Sequence, residues 1–196
     1  MEGAKYAEEY HPQTYPKYHG AERSKYTLDH DIKRSETRTA IFNMCDDLDL
    51  KLGWKKTDLF HFVKPDDLFE ITQTKTARFF LEEENKKKNL KEMYEKLKPY
   101  VDVRGSEKFK EAWGFKYFNV IISMRNQEAA ITVLTHFAGG CNCVDFVNKR
   151  LHRNAPFKLQ SDILWFTTHE VITTRTIETI FLTFDGKERS FLDIVK

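Results

Sequence analysis

Acidic and basic side chains are concentrated between Pro65 and Tyr100, at a spacing that suits metal-assisted phosphate chemistry. A β-hairpin that turns at Thr74 would place Asp66 opposite Glu82, because each stands eight positions from the turn. Directly opposed side chains bring their Cβ atoms to roughly 5 Å, where like charges destabilise a sheet. A divalent cation is the usual reason for such a pair, since Mg²⁺ is held by one or two carboxylates together with phosphate oxygens and water.

Glu84 and Lys96 extend this acidic pair. Side chains alternate along a strand, so Glu84 is predicted to share a face with Glu82 while Glu83 points away. Lys96 lies at the border of the apolar face of the next predicted helix, from which it could lean toward the carboxylates and stabilise charge on a phosphate. These types of residue are typical of metal-assisted phosphodiester cleavage. The predicted catalytic residues are Asp66, Glu82, Glu84 and Lys96, with Asp66 and Glu82 as ligands of Mg²⁺ or Mn²⁺.

Basic residues flank the acidic pair and are candidates for contact with a phosphate backbone. Lys86, Lys87 and Lys88 open the helix after the glutamates, and Arg104 and Lys108 follow that helix. A solvated helix face is the alternative interpretation of such a lysine run. We predict that these five residues bind nucleic acid.

Composition limits the class of protein. The chain has 196 residues, with Lys+Arg 32 against Asp+Glu 30, a balance that excludes a purely electrostatic, histone-like binder. Its 16 Phe and 8 Tyr provide enough apolar area for a core, which excludes a wholly disordered chain. No run approaches the ~18 apolar residues of a membrane span. Three cysteines are too few for a disulfide scaffold, so a reducing, cytoplasmic location is expected.

Alternating strands and helices predict a single α/β domain, residues 26–196, with a mixed β-sheet flanked by helices. An N-terminal arm is expected up to residue 25. Aromatic and β-branched runs predict strands at Leu59–Lys64, Leu68–Thr72, Thr76–Glu82, Phe115–Met124, Ile163–Thr168 and Thr179–Phe184. Apolar periodicity predicts helices at Ala40–Leu48, Lys86–Lys98, Gln127–Phe137 and Cys143–Leu151, with Pro99 ending the second. Tyr94 and Tyr100 fall on its apolar face and are predicted core residues.

Several motifs in this order resemble the replication-relaxation family of plasmids and other mobile elements. They are Leu28-Asp29-His30-Asp31-Ile32, Pro65-Asp66, Phe79-Phe80-Leu81-Glu82-Glu83-Glu84 and Lys96-Leu97-Lys98-Pro99-Tyr100. That family is similar to PD-(D/E)XK nucleases. The resemblance implies a restriction-endonuclease-like fold and a DNA nickase or relaxase-like endonuclease that uses Mg²⁺ or Mn²⁺. It also favours DNA over RNA, and implies replication or transfer proteins as partners.

The same resemblance adds a residue to the predicted site and also shows one difference between this sequence and the nuclease superfamily. Glu36, on the helix of the His-Asp motif, corresponds to a position that supplies a third carboxylate in related nucleases, so Glu36 is a further candidate metal ligand. Glu84 stands where the superfamily has a lysine, so Lys96 would have to provide that positive charge. The missing strand lysine leaves a second hypothesis, a non-catalytic DNA-binding module of the same fold.

A second resemblance, to viral cap-snatching endonucleases, involves His30, Asp66, Glu82 and Lys96 in the same chain order. Those enzymes cut single-stranded RNA, and an imidazole ligand suits Mn²⁺, so His30 is a further candidate metal ligand. A helix-capping residue or a residue that supports the metal ligands is the alternative interpretation of His30. The order of these residues along the chain does not separate a DNA enzyme from an RNA enzyme.

Overall fold

A computed structural model describes residues 25–55, 63–84, 89–137, 143–145, 150–152, 159, 161–175, 179, 181–184 and 187–195. The predicted arm up to residue 24 and the three lysines at 86–88 lie outside these residues. The statements below concern the described part of the chain.

Seven strands form one mixed sheet. In spatial order they are β1 (Lys51–Lys55), β2 (Asp67–Thr72), β3 (Thr76–Glu84), β4 (Asn119–Met124), β7 (Leu164–Thr168), β8 (Phe181–Leu182) and β9 (Glu188–Arg189). The central strands β3, β4 and β7 run parallel, and the strands on either side pair antiparallel. Two short strands, β5 (Cys143–Asp145) and β6 (Arg150–His152), form a separate antiparallel pair. Because parallel strands end at the same edge, the carboxyl ends of β3, β4 and β7 define one edge of the sheet.

Helices cover both faces of the sheet and make the chain a single α/β domain. They are α1 (Lys25–Asp47), α2 (Leu90–Val103), α3 (Glu107–Trp113), α4 (Gln127–Phe137), α5 (His169–Thr174) and α6 (Leu192–Val195). One apolar cluster joins α1 to the sheet residues Phe79, Leu81 and Ile121. The other joins α2, α3 and α4 to Phe80, Val120 and Ile122. Successive residues of β3 therefore point to opposite faces, as a period of two requires.

The predicted hairpin is confirmed. Strands β2 and β3 pair in the expected register, with Asp67 opposite Leu81 and Thr72 opposite Thr76. The Asp66 amide continues this ladder by donating a hydrogen bond to the Leu81 carbonyl at 3.0 Å. Strand β3 runs to Glu84, two residues beyond its predicted end, so all three glutamates stand on the strand.

Helix α2 passes through Pro99, so the prediction that the helix ends there is wrong. An interior proline costs roughly 3 kcal/mol because it removes one backbone hydrogen bond and crowds the preceding turn. Burial of one large side chain contributes about 1.5–3 kcal/mol. Leu97 and Tyr100 are both buried on either side of the proline. Their burial offsets the cost and carries the helix on to Val103.

Two other predictions also need correction. The segment expected as a helix at Cys143–Leu151 contains β5 and β6 instead, with Val144 opposite Leu151. A short apolar run does not distinguish a helix from paired strands, and local pairing prevails here. Of the strand expected at Leu59–Lys64, residues 59–62 lie outside the described residues, and Val63 and Lys64 are not in a strand. Strand β1 was not predicted.

Candidate active site

The predicted catalytic residues meet where β3 ends. Strand β2 runs antiparallel to β3, so the residue that precedes β2, Asp66, lies beside the last residues of β3. Helix α2 begins six residues after β3 and brings Lys96 back over the Glu82 face of the sheet. Helix α1 covers the opposite face and brings His30 to the same edge. The structure therefore gathers Asp66, Glu82, Glu84 and Lys96 together with His30.

Lys96 bridges the two glutamates that share a face. Its Nζ lies 2.5 Å from Glu82 Oε2 and also donates a hydrogen bond to Glu84 Oε1. The two carboxylates are almost completely buried, whereas the Lys96 side chain is 24% exposed. The Tyr100 hydroxyl donates a hydrogen bond to the other oxygen of Glu82, Oε1. Lys96 thus neutralises a buried acidic pair and still reaches solvent.

The pKa values around this pair follow from burial and charge. Burial raises the pKa of Glu82 to about 7, although the charge of Lys96 acts in the opposite direction. Burial alone would lower the pKa of Lys96, but the charges of Glu82, Glu84 and Asp66 together raise it. Burial and the Glu82 charge raise the pKa of Tyr100 well above 10. Lys96 therefore remains an ammonium and Tyr100 a neutral phenol across the physiological range.

Asp66 is held by two groups from different elements. The Glu83 amide donates a hydrogen bond to Asp66 Oδ2 at 2.7 Å, and His30 Nε2 lies 3.3 Å from Asp66 Oδ1. Burial would raise the pKa of Asp66, but the contact with His30, the charge of Lys96 and the Glu83 amide lower it. The same contact raises the pKa of His30. Asp66 is thus an ionised carboxylate that remains one-fifth exposed.

Two arginines fix the helix that carries His30. Arg34 donates to both oxygens of the buried Asp67 carboxylate, at 2.6 and 2.8 Å. Arg38, one turn later, makes the same pair of contacts, and its guanidinium lies 5.0 Å from the centre of the Trp54 ring. Asp67 follows Asp66 directly, so these ion pairs set the position of α1 relative to the candidate site.

Glu36 lies away from the predicted metal ligands. Its Oε2 is 2.9 Å from His169 Nε2, on the α1 face of the sheet. His169 Nδ1 is 3.3 Å from the Thr37 hydroxyl, which donates a hydrogen bond to the buried Glu83 carboxylate. The Glu83 and Glu36 carboxylates raise the pKa of His169. Glu36 and Glu83 thus belong to a second polar cluster, behind the strand that carries the candidate site.

The predicted nucleic-acid-binding residues lie elsewhere. Arg104 follows the far end of α2, where its Nε donates to the Phe118 carbonyl at 3.2 Å and its guanidinium lies 5.5 Å from the Tyr117 ring centre. Phe118 precedes β4, whereas the candidate site lies at the opposite edge of the sheet, where β3 ends. Lys108 is on α3, which follows Arg104. Neither residue is brought to the acidic cluster, and Lys86, Lys87 and Lys88 fall outside the described residues.

The donor atoms suit a hard divalent cation, although the side chains are not arranged around one. Within the described ranges, no group of three or more His, Cys, Asp or Glu side chains is placed to hold a metal ion. Glu82 Oε2 is nonetheless a buried carboxylate oxygen, which forms an ion pair with Lys96 at 2.5 Å. Carboxylate oxygens are the preferred ligands of Mg²⁺, and an added imidazole suits Mn²⁺. A cation at Asp66 and Glu82 would share the Glu82 carboxylate with Lys96.

Several residues that shape the site were not identified from the sequence alone. Arg34 and Arg38 are four positions apart on one helix, a spacing that could have indicated a shared partner. His169 directly follows a buried strand, and residues at the ends of parallel strands often line sites. Glu83 gave no such indication, because a carboxylate turned away from Glu82 would ordinarily face solvent.

No family model matches the sequence, no curated protein matches it, and no solved structure matches the fold. The resemblances to replication-relaxation proteins and to cap-snatching endonucleases therefore remain predictions from the motifs. Among the described residues, no helix is both long and apolar enough to cross a membrane.

Proposed function

We propose that the protein is a divalent-metal-dependent endonuclease that hydrolyses phosphodiester bonds in nucleic acid. The observation that carries this proposal is the convergence of Asp66, Glu82 and Lys96, with His30 against Asp66. These residues come from α1, α2 and the β2–β3 hairpin, and they are far apart in the sequence. A non-catalytic module would not need an ionised aspartate and a charged lysine at one partly open edge of the sheet.

Asp66, Glu82 and His30 are the residues that would hold Mg²⁺ or Mn²⁺. Such an ion, when bound, lowers the pKa of a coordinated water and stabilises negative charge on phosphate oxygens. The Glu83 amide and His30 keep Asp66 ionised and fix its orientation. Tyr100 fixes one oxygen of Glu82 and leaves the other on the Lys96 side.

Lys96 would stabilise the scissile phosphate. An ammonium has three N–H donors, of which Glu82 and Glu84 take two, so one is left for a phosphate oxygen. Its raised pKa rules out a role as general base near neutral pH and leaves an electrostatic role. Glu84 would position the lysine, which compensates for the absence of a lysine at that point of the strand.

The attacking group would be water rather than a tyrosine. Tyr100 is 1% exposed and donates its proton to Glu82, so its oxygen cannot approach a phosphate in this conformation. Tyr94 packs against Phe137 on the apolar side of α2. Among the described residues, this disfavours a covalent tyrosine mechanism and favours direct hydrolysis of the P–O bond.

The fold class that we propose for this activity is restriction-endonuclease-like. Such a domain places its acidic residues on an antiparallel pair of strands beside a parallel one, and the β2–β3 hairpin next to β4 has this form. The motif resemblance to replication-relaxation proteins makes a DNA nickase serving a mobile element the first candidate.

An RNA endonuclease of the cap-snatching type is the second candidate, and one observation favours it. The resemblance to cap-snatching enzymes is the one that assigns His30 a metal-binding role. His30 Nε2 lies 3.3 Å from Asp66 Oδ1. Glu36, the third carboxylate that the nickase resemblance offered, pairs with His169 instead. A requirement for His30 and a preference for single-stranded RNA would therefore favour this candidate over the nickase.

Cleavage assays with Mg²⁺, Mn²⁺ or EDTA test the proposal on supercoiled DNA, single-stranded DNA and single-stranded RNA. We expect metal-dependent cleavage of one substrate, lost in D66A and E82A and kept in D102A, whose carboxylate is exposed on α2. Circular dichroism would check that each variant folds. Cleavage that survives in both D66A and E82A would exclude this site, and metal-independent DNA binding without cleavage would support the non-catalytic module.

A further inference from the structure

The edge of the sheet that holds the candidate active site also carries three positively charged side chains from different elements. Lys64 precedes Asp66 by two residues, just before β2 begins, and Arg125 directly follows the last residue of β4. Met124 stands beside Glu84 in the register of β3 and β4, so Arg125 lies next to the end of β3. These two cations therefore flank β3, the strand that carries two of the predicted catalytic residues.

The third cation, Lys33, comes from α1. It follows His30 by three residues, so both lie on the same side of the helix, and His30 contacts Asp66. The Glu83 carboxylate raises the pKa of His169, and the charge of Lys33 opposes this effect, so Lys33 and His169 are close together. His169 directly follows β7. Lys33 therefore lies on the α1 side of the same edge, between the start of β2 and the end of β7.

None of these three cations forms an ion pair or a side-chain hydrogen bond within the part of the chain that the structure describes. Lys64 and Arg125 are exposed, and Lys33 is half-buried. The other lysines and arginines whose side chains are described on α1 and α2 are all ion-paired, namely Arg34, Arg38, Lys91, Lys96 and Lys98. Lys33, Lys64 and Arg125 are therefore available to an anion from outside the chain.

We propose that Lys33, Lys64 and Arg125 bind the phosphate backbone of a nucleic-acid strand and hold it across the candidate active site. This proposal rests on the proposed endonuclease function and adds the path of the substrate. The acidic residues of the site repel a polyanion, so cations beside them are needed to bring phosphates close. Contacts to the backbone position a substrate and carry no sequence information. Arg104 and Lys108, at the opposite edge of the sheet, lie off this path.

The salt dependence of binding tests this proposal. The wild type and the triple variant K33A/K64A/R125A are titrated with fluorescent single-stranded DNA, duplex DNA and single-stranded RNA, in EDTA so that no divalent ion contributes. On a double logarithmic plot, the association constant falls with salt by about 0.9 for each phosphate contact on duplex DNA and about 0.7 on a single strand. Loss of three contacts should reduce this slope by roughly 2–3 and weaken binding on the order of 10²–10³-fold at about 50 mM salt. Two oligonucleotides of unrelated sequence should lose affinity equally.

The matched control removes three exposed lysines at the opposite edge of the sheet. Lys51 stands opposite Thr72 at the start of β1, Lys75 is in the turn between β2 and β3, and Lys110 is on α3, which precedes β4. K51A/K75A/K110A loses the same net charge as the test variant and should keep the wild-type slope.

Charge-conserving changes separate the loss of charge from a change in the local fold. Lys33→Arg, Lys64→Arg and Arg125→Lys together should keep the wild-type slope. If K33A/K64A/R125A does not fold, as judged by circular dichroism, the single variants K64A and R125A, both at exposed positions, give the same comparison. Each should reduce the slope by about 0.7–0.9.

A folded triple variant that keeps the wild-type slope would overturn the proposal. An equal loss in K51A/K75A/K110A would also overturn it, because net charge rather than this edge of the sheet would then account for binding. So would a wild type that binds none of the three nucleic acids. The endonuclease function fails separately, since it requires metal-dependent cleavage that is lost in D66A, whereas D66A should keep the wild-type salt slope.

Discussion

At the scale of single residues, Lys96 brings a positive charge from a helix to two buried glutamates of a strand. Lys96 contacts both Glu84 and Glu82 from α2, and under the proposed likeness to PD-(D/E)XK nucleases it would take the part of their strand lysine. A lysine held between two buried carboxylates has little rotational freedom. Its ammonium is therefore pre-positioned for a phosphate, which is the condition under which electrostatic stabilisation is most effective.

Replacement of Lys96 by alanine should lower the rate of cleavage by about 10²–10³, the loss expected when one pre-positioned donor is removed. The measurement is single-turnover cleavage at saturating Mn²⁺. Lys98→Ala is the control, because Lys98 is exposed on the same helix and pairs with Asp102. Equal rates for the two variants would contradict the role of Lys96.

Glu82 should make the stability of the metal-free protein depend on pH. Its pKa in the folded protein is raised from 4.5 to about 7, so the protonated form is favoured by folding. The resulting stabilisation is present in full below pH 4.5 and is lost as the pH rises through 7. We expect the free energy of unfolding to fall by on the order of 3 kcal/mol between pH 4.5 and pH 8 through this group.

Denaturant titrations at several pH values in EDTA would measure this effect, with Glu82→Gln as the test variant. The glutamine remains neutral, so the decline with pH should flatten. Glu95→Gln, at an exposed residue of α2, should leave the decline unchanged. An undiminished decline in Glu82→Gln would show that another group titrates.

At the scale of elements, the hairpin was predictable and several of its neighbours were not. The register of β2 and β3 follows from the position of the turn, so the proximity of Asp66 and Glu82 could be derived from the sequence alone. The position of α1 could not, because it depends on how Arg34 and Arg38 reach Asp67, a contact between residues at least 29 positions apart. Pro99 led to a wrong prediction of the helix end. The free-energy cost of a proline inside a helix is local, whereas the burial of Tyr100 that offsets it depends on tertiary packing.

The ion pairs between α1 and β2 should hold the helix in place. Arg34→Met combined with Arg38→Met leaves the buried Asp67 carboxylate without a cation, and breaking a buried ion pair in this way costs about 3–5 kcal/mol. Denaturant unfolding would measure the loss. Arg78→Met is the control, because Arg78 pairs with the partly exposed Glu70 and should cost at most about 1 kcal/mol. Similar losses in both variants would contradict a special role for Asp67.

At the scale of the whole molecule, the sheet organises two polar clusters around one strand. Strand β3 directs Glu82 and Glu84 toward α2 and Glu83 toward α1, so consecutive glutamates serve opposite faces. The Glu83 amide also holds Asp66, so the backbone of this strand end links the two faces. The chemistry of the candidate site thus depends on the sheet edge and on both helical layers, which is why short sequence motifs indicate it only in part.

The central claim is that Asp66 belongs to a divalent-metal site, and calorimetric titration of Mn²⁺ tests it most directly. The wild type and D102A should bind Mn²⁺, whereas D66A should not, although its thermal melt in EDTA still shows a cooperative fold. The wild-type Tm should rise with Mn²⁺, and the Tm of D66A should not. Absence of binding to the wild type, or undiminished binding to a folded D66A variant, would contradict the claim.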